Sequence, residues 1–173
     1  HVAGGHVAMT LWDTLDQLLT CAEASLADTP AGVPGRVFIN PGGLEPWDNC
    51  CADGGQLWVR IVRSHPTNPF PLKSLSATPC PYVATQIGIG TVRCVHTVDD
   101  RGRAPSVEEM TSDAGTMVCD MAALYDAIVC CGDLTLDEWT PRGADGGCAG
   151  GEWLVWTDAP LICPPATSPG ESP

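Results

Sequence analysis

Apolar residues first recur at helical spacing. Leu11, Leu15, Leu18, Leu19, Ala22 and Leu26 share one face and predict a helix over residues 10–26. Thr10, with Asp13 three residues on, supplies a capping start. The prolines and glycines between Asp28 and Gly35 break that helix. Arg36 to Asn40 then reads as a short strand, ended by Pro41, Gly42 and Gly43.

From Gln56 to Ser64 the period changes to two. Leu57, Val59 and Ile61 fall on one side of a strand, and Trp58, Arg60 and Val62 on the other. The stretch from His65 to Pro81 carries prolines at 66, 69, 71, 79 and 81 and reads as one long irregular loop. Tyr82 to Val98 predicts the longest strand, with Val83, Thr85, Ile87, Ile89, Thr91, Arg93 and Val95 on one side. Gly88 and Gly90 on its other side leave room for a close-packed helix or a bulge.

A second helix is predicted from Pro105 to Val129, opened by a capping box of Ser106 and Glu109. Met110, Ala114, Met117, Met121, Leu124, Tyr125 and Ile128 form its apolar stripe, read as core. Strands at Leu134–Thr140 and Glu152–Thr157 close the pattern. The glycine-rich segment between them is read as a shaped loop. The order helix, three strands, helix, two strands predicts an α+β fold, a mainly antiparallel sheet with two helices packed on it. Residues 1–8 read as a flexible extension, 9–162 as one domain and 163–173 as a disordered tail.

Composition narrows the function classes. Formal net charge is −13, from 8 Lys and Arg against 21 Asp and Glu, which argues against binding nucleic acid phosphates. No stretch reaches the roughly 18 consecutive apolar residues of a membrane span. Ten cysteines are present. Cys21 and Cys119 fall within predicted helices and are expected in the core. Cys50, Cys51, Cys80 and Cys148 lie in or beside predicted loops and are the candidate disulfide cysteines. Their connectivity stays open.

Chemical motifs are weak. Gly146, Cys148 and Gly150 spell a nucleophile elbow, but a strand follows where the elbow needs a helix. Cys94 and His96 point the same way on a strand, half of a zinc site at most. The chain is expected to use no metal and no cofactor and not to be an enzyme. The candidate contacts to neighbouring chains are Arg60, Arg63 and Arg142, the cations best placed to pair with acidic neighbours, with Phe70, Trp139 and Trp153.

Taken in order, the segments GRVFINPG, WDNCC, GQLWVRIVR, HPTNPFP, VRCVHTV, APSVEEM and WTPRGADGGCAGGEW resemble the tail terminator proteins of long-tailed (siphovirus-type) phages of actinobacteria. The similar features span most of residues 9–160. The resemblance implies a structural virion protein, assembled in the host cytoplasm and located at the head–tail junction. It implies a homo-oligomeric, hexameric ring that caps the tail tube and ends polymerisation of the major tail protein. That ring would meet the head-to-tail stopper or other neck proteins, with DNA passing through its lumen without specific binding and no membrane involved. An acidic lumen follows from that role, with Asp48, Asp53, Asp99, Asp100 and Asp145 as candidate wall residues. The alternatives are a head-to-tail stopper or another neck connector, a disulfide- or zinc-stabilised protein-binding module, or a thiol enzyme using Cys148 or Cys94.

Overall fold

The computed structural model describes residues 9–42, 50–74 and 82–162. Two helices, α1 (Leu11–Ala27) and α2 (Val107–Cys130), accompany five strands. These are β1 (Arg36–Asn40), β2 (Gln56–Thr67), β3 (Tyr82–Cys94), β4 (Thr135–Asp145) and β5 (Cys148–Thr157). They form one sheet in the order β1-β2-β3-β5-β4. Only the β1–β2 pair is parallel. The fold is therefore the expected α+β, with both helices on one face of a mostly antiparallel sheet. Of the expected unit boundaries, 1–8 and 163–173 lie outside the described residues.

Both helix starts are built as the sequence dictates. The Thr10 and Ser106 hydroxyls accept from the amides of Asp13 and Glu109, and each carboxylate accepts back from the cap amide. Leu15, Leu18, Ala22 and Leu26 of α1 meet Leu124, Ala127 and Ile128 of α2 over Leu57, Val59, Ile87, Ile89 and Val155 of the sheet. A disulfide from Cys21 to Cys131 ties the middle of α1 to the end of α2. Cys21 is thus a covalent staple, where helical position had suggested a simple core residue.

Four further expectations are corrected. First, the glycine-rich segment is mostly strand. β4 and β5 run nearly to its centre and turn at Gly146 and Gly147, both at positive φ (59° and 86°), as a tight hairpin turn requires. Gly151 is small because a Cβ there would strike the Trp139 indole. Second, the proline-rich loop starts later than expected. β2 continues to Thr67, and Pro66 is tolerated because β1 pairs with β2 only as far as Arg60. The rest of that loop, 75–81, with Cys80, lies outside the described residues.

Third, Gly88 and Gly90 face away from the helices. The space beside them holds the Glu152 carboxylate and the Trp58 indole. Fourth, the methionine stripe of α2 is not core over its length. Met110 is 52% exposed, Ala114 is exposed, and Met117 and Met121 are half-buried. The buried residues of α2 are Asp120, Ala123, Leu124, Ala127 and Ile128, so the first half of the helix projects beyond the packed core.

Candidate functional site

Three places concentrate chemistry: the face of the sheet away from the helices, the cystine cluster at one end of it, and the overhanging half of α2.

On the side of the sheet away from the helices, alternation places Trp58 and Arg60 of β2 opposite Glu152 of β5, across the glycines of β3. Arg60 donates twice to the Glu152 carboxylate, Nε to Oε1 and Nη2 to Oε2, each at 2.7 Å. The Trp58 indole N–H adds a third bond to Oε1 at 3.1 Å. The pair is almost fully buried, a charge-assisted bidentate contact in a low-dielectric setting. Further along the same face, Asp137 Oδ2 accepts from the Gln86 amide at 2.8 Å and the Trp156 indole at 2.9 Å. The Arg63 guanidinium lies over the Trp156 ring, 5.2 Å from its centroid, and His65 meets that ring edge-on.

A second buried ion pair works on the helix side. Arg93 donates to both Asp120 oxygens of α2, at 2.8 and 3.1 Å. It also donates to the carbonyls of Gly32 and Gly54. One side chain thus clamps β3, α2, the turn after α1 and the turn before β2.

The cysteines of the turn before β2 bridge outward. Cys50 bonds Cys148 and Cys51 bonds Cys94. The expectation that Cys50, Cys51 and Cys148 are disulfide cysteines is met. Cys94 had not been singled out for a disulfide; its sulfur, like that of Cys148, is taken up here, which removes both as nucleophiles and Cys94 as a zinc ligand in this state. His96 instead faces Asp113, with its backbone N–H and ring Nδ1 at 2.8 and 3.0 Å from the carboxylate.

The predicted contact residues separate by environment. Arg60 is buried and its charge is engaged by Glu152 of the same chain, so it presents little surface to a neighbour. Arg63, Phe70 and Arg142 are exposed. Trp139 and Trp153 are half-buried, with ring centroids 5.6 Å apart, and the Trp153 N–H donates to the Met121 carbonyl. Their main role is joining the β4–β5 hairpin to α2. Asp53, Asp99, Asp100 and Asp145 are exposed, and Asp48 lies outside the described residues.

Sequence reasoning missed the outer stripe of α2. Val107, Met110, Ala114, Val118, Tyr125 and Val129 follow at three-, four- and seven-residue steps and are all exposed. The signal was present in Thr111, Ser112, Asp113 and Gly115, small and polar residues that leave the first half of the helix with few apolar side chains to bury. It also missed Glu152 and Asp120 as buried acids. Their signal was an arginine inside each of two apolar strands of a chain poor in cations.

Local electrostatics hold three acids below the usual carboxylate range. Asp13 is lowered first by the Thr10 hydroxyl and then by its amide. Asp99 is lowered by the Arg103 amide and then by its guanidinium. Glu109 is lowered by the Ser106 amide and hydroxyl, with a smaller contribution from His96. All three are solvent-exposed capping or turn acids, a structural duty. A groove of about 910 Å³, bordered by Met9, Gln17, Tyr82, Leu134 and Leu161, also carries the Cys130 thiol and the carboxylates Asp133 and Asp158. With the disulfides formed, no group of three or more His, Cys, Asp and Glu among the described residues is arranged to hold a metal. No described helix is long and apolar enough to cross a membrane.

No family model matches the chain, and no curated protein matches it significantly.

Proposed function

We propose that the chain is a structural virion protein, a tail terminator that assembles as a ring, caps the tail tube and joins it to the neck proteins, without catalysis or cofactor. The observation that carries the reading is the overhanging half of α2. Val107, Met110 and Val118 are 69%, 52% and 59% exposed on a helix whose other half is packed. An apolar stripe of this kind is what an interface between subunits covers. A neighbouring subunit of the ring is the occupant. The α+β architecture and the ordered run of similar segments support the same reading. The exposed acids Asp53, Asp99, Asp100 and Asp145 supply candidates for a lumen wall that leaves DNA mobile.

The test is assembly. Native mass spectrometry of the chain, alone and with purified tail-tube protein, is expected to give a hexamer and tubes of limited length. Met110→Asp with Val118→Asp is expected to abolish the ring while leaving the monomer's melting temperature near its original value. A chain that stays monomeric beside tubes that elongate unchecked overturns the reading.

The disulfides favour a second reading, a disulfide-stabilised protein-binding module working in an oxidising medium. It predicts a monomer that never acts on tube growth, so the same experiment separates the two.

A further inference from the structure

Cys50 and Cys51 are neighbours in sequence yet bridge to different strands. Cys50 reaches Cys148 at the start of β5, and Cys51 reaches Cys94 at the end of β3. Cys94 and Cys148 are themselves direct partners across the β3–β5 ladder. Four sulfurs therefore meet at one spot. The Sγ atoms of Cys50 and Cys51 are 3.8 Å apart, and both lie beside the Gly147 carbonyl oxygen, at 3.7 and 3.8 Å. Cys50 and Cys148 are buried against Trp58 and Val92, while Cys51 and Cys94 face solvent. The cluster has an apolar floor and an open entrance.

We propose that, once its two disulfides are reduced, this cluster is a tetrathiolate site for a soft divalent cation such as zinc. Four thiolates around zinc lie about 2.3 Å from the metal, which places the sulfurs about 3.8 Å from one another. Cys50 and Cys51 already stand at that separation. Once reduced, the two bonded pairs, Cys50–Cys148 and Cys51–Cys94, open from a covalent bond towards the same spacing. Their Cα atoms, 5.8 and 4.5 Å apart, leave room for this by side-chain rotation. His96 is outside the set because its ring is held at Asp113.

The chemistry balances with a phosphine as reductant. Each phosphine attacks one sulfur and breaks one S–S bond, giving two electrons to the pair. Water supplies the oxygen of the phosphine oxide and the two protons of the thiols. Two phosphines thus yield four thiols. Zinc then displaces four protons and leaves a complex of net charge −2. The same four residues fasten β3, β5 and the turn before β2 in either redox state: by sulfur–sulfur bonds in an oxidising medium, by metal in a reducing one. The site is independent of the ring reading.

The test uses the full chain, reduced anaerobically with a phosphine and titrated with Co²⁺ and then Zn²⁺. The expected result is about one Co²⁺ per chain, with the intense visible bands of a tetrahedral tetrathiolate, displaced by Zn²⁺. Zinc is also expected to protect four thiols from alkylation. Cys21→Ser with Cys131→Ser should leave the spectrum intact, because those sulfurs belong to the other staple. Cys51→Ser with Cys94→Ser should abolish it. If that double variant does not fold, the single Cys51→Ser, at an exposed position, should replace the four-sulfur spectrum by a weaker three-sulfur one. Absence of stoichiometric Co²⁺ binding by the reduced chain overturns the proposal. So does a four-sulfur spectrum that survives Cys51→Ser.

Discussion

The two faces of the sheet are both buried, but by different chemistry. The helix-covered face is closed by aliphatic side chains: Leu57, Val59, Ile87, Ile89 and Val155 against α1 and α2. The other face is closed around Trp58, Arg60 and Glu152, with the cystine cluster at its end. Apolar packing is non-directional and tolerates small shifts. An ion pair with three geometrically fixed bonds does not. The first face supplies stability, and the second fixes the register of β2 against β5 across a strand that carries glycine at the crossing. That difference makes the second face the more brittle.

The largest expected effect follows from this. Glu152→Ala strands a buried guanidinium and should cost about 3–5 kcal/mol in urea unfolding. Removing both charges, Arg60→Met with Glu152→Leu, should recover most of that loss. If the single substitution cost less than about 1 kcal/mol, the contrast between the faces would be wrong. On the helix side, Leu124→Ala should cost about 2–5 kcal/mol through lost contacts and the cavity left behind. Met110→Ala, on the overhang of the same helix, should stay within about 0.5 kcal/mol in the isolated chain. Equal costs at the two positions would show that α2 is packed along its whole length.

These contrasts mark what was legible beforehand. Element type and order followed from periodicity, because Leu15, Leu18 and Leu26 repeat at helical steps and Leu57 and Val59 at strand steps. The two helix starts followed from capping chemistry at Thr10 and Ser106. Periodicity does not report how far the packed core extends, so the stripe through Met110 and Ala114 read as core although both residues are exposed. Nor does it report cross-strand register, which alone brings Cys94 beside Cys148 and Arg60 beside Glu152. The hairpin was obscured because Gly151, which fits against the Trp139 indole, looks in sequence like a glycine that makes a loop.

A third contrast sets the two staples apart. Cys21→Ser with Cys131→Ser releases a tie spanning 110 residues and should cost about 2–4 kcal/mol, mostly by enlarging the unfolded ensemble. Under reducing conditions that tie is open in the wild-type chain as well, so the double variant should match it there and respond to zinc in the same way. In the reduced wild-type chain, zinc should raise the melting temperature through the other cluster. A zinc response that disappeared with Cys21 and Cys131 would assign the metal to the wrong end of the molecule.

The smallest effect concerns the helix starts, which lie outside both faces. Glu109 has its folded-state pKa lowered, chiefly by the Ser106 amide and then its hydroxyl. For a carboxylate depressed in the folded state, the stabilisation is fully present above the unfolded value. It is lost as pH falls through the lowered folded value. Helicity at the start of α2 should therefore be flat from neutrality down to the ordinary carboxylate range and decline only below it. Glu109→Gln keeps a side chain able to accept the Ser106 amide but cannot titrate, so the Glu109-dependent part of that decline should vanish. Amide exchange at residues 107–110, followed against pH in both chains, reads the difference directly. Identical profiles would show that the exposed cap acid adds nothing measurable to the overhanging half of α2, whose order would then rest on helix propensity and neighbouring contacts alone.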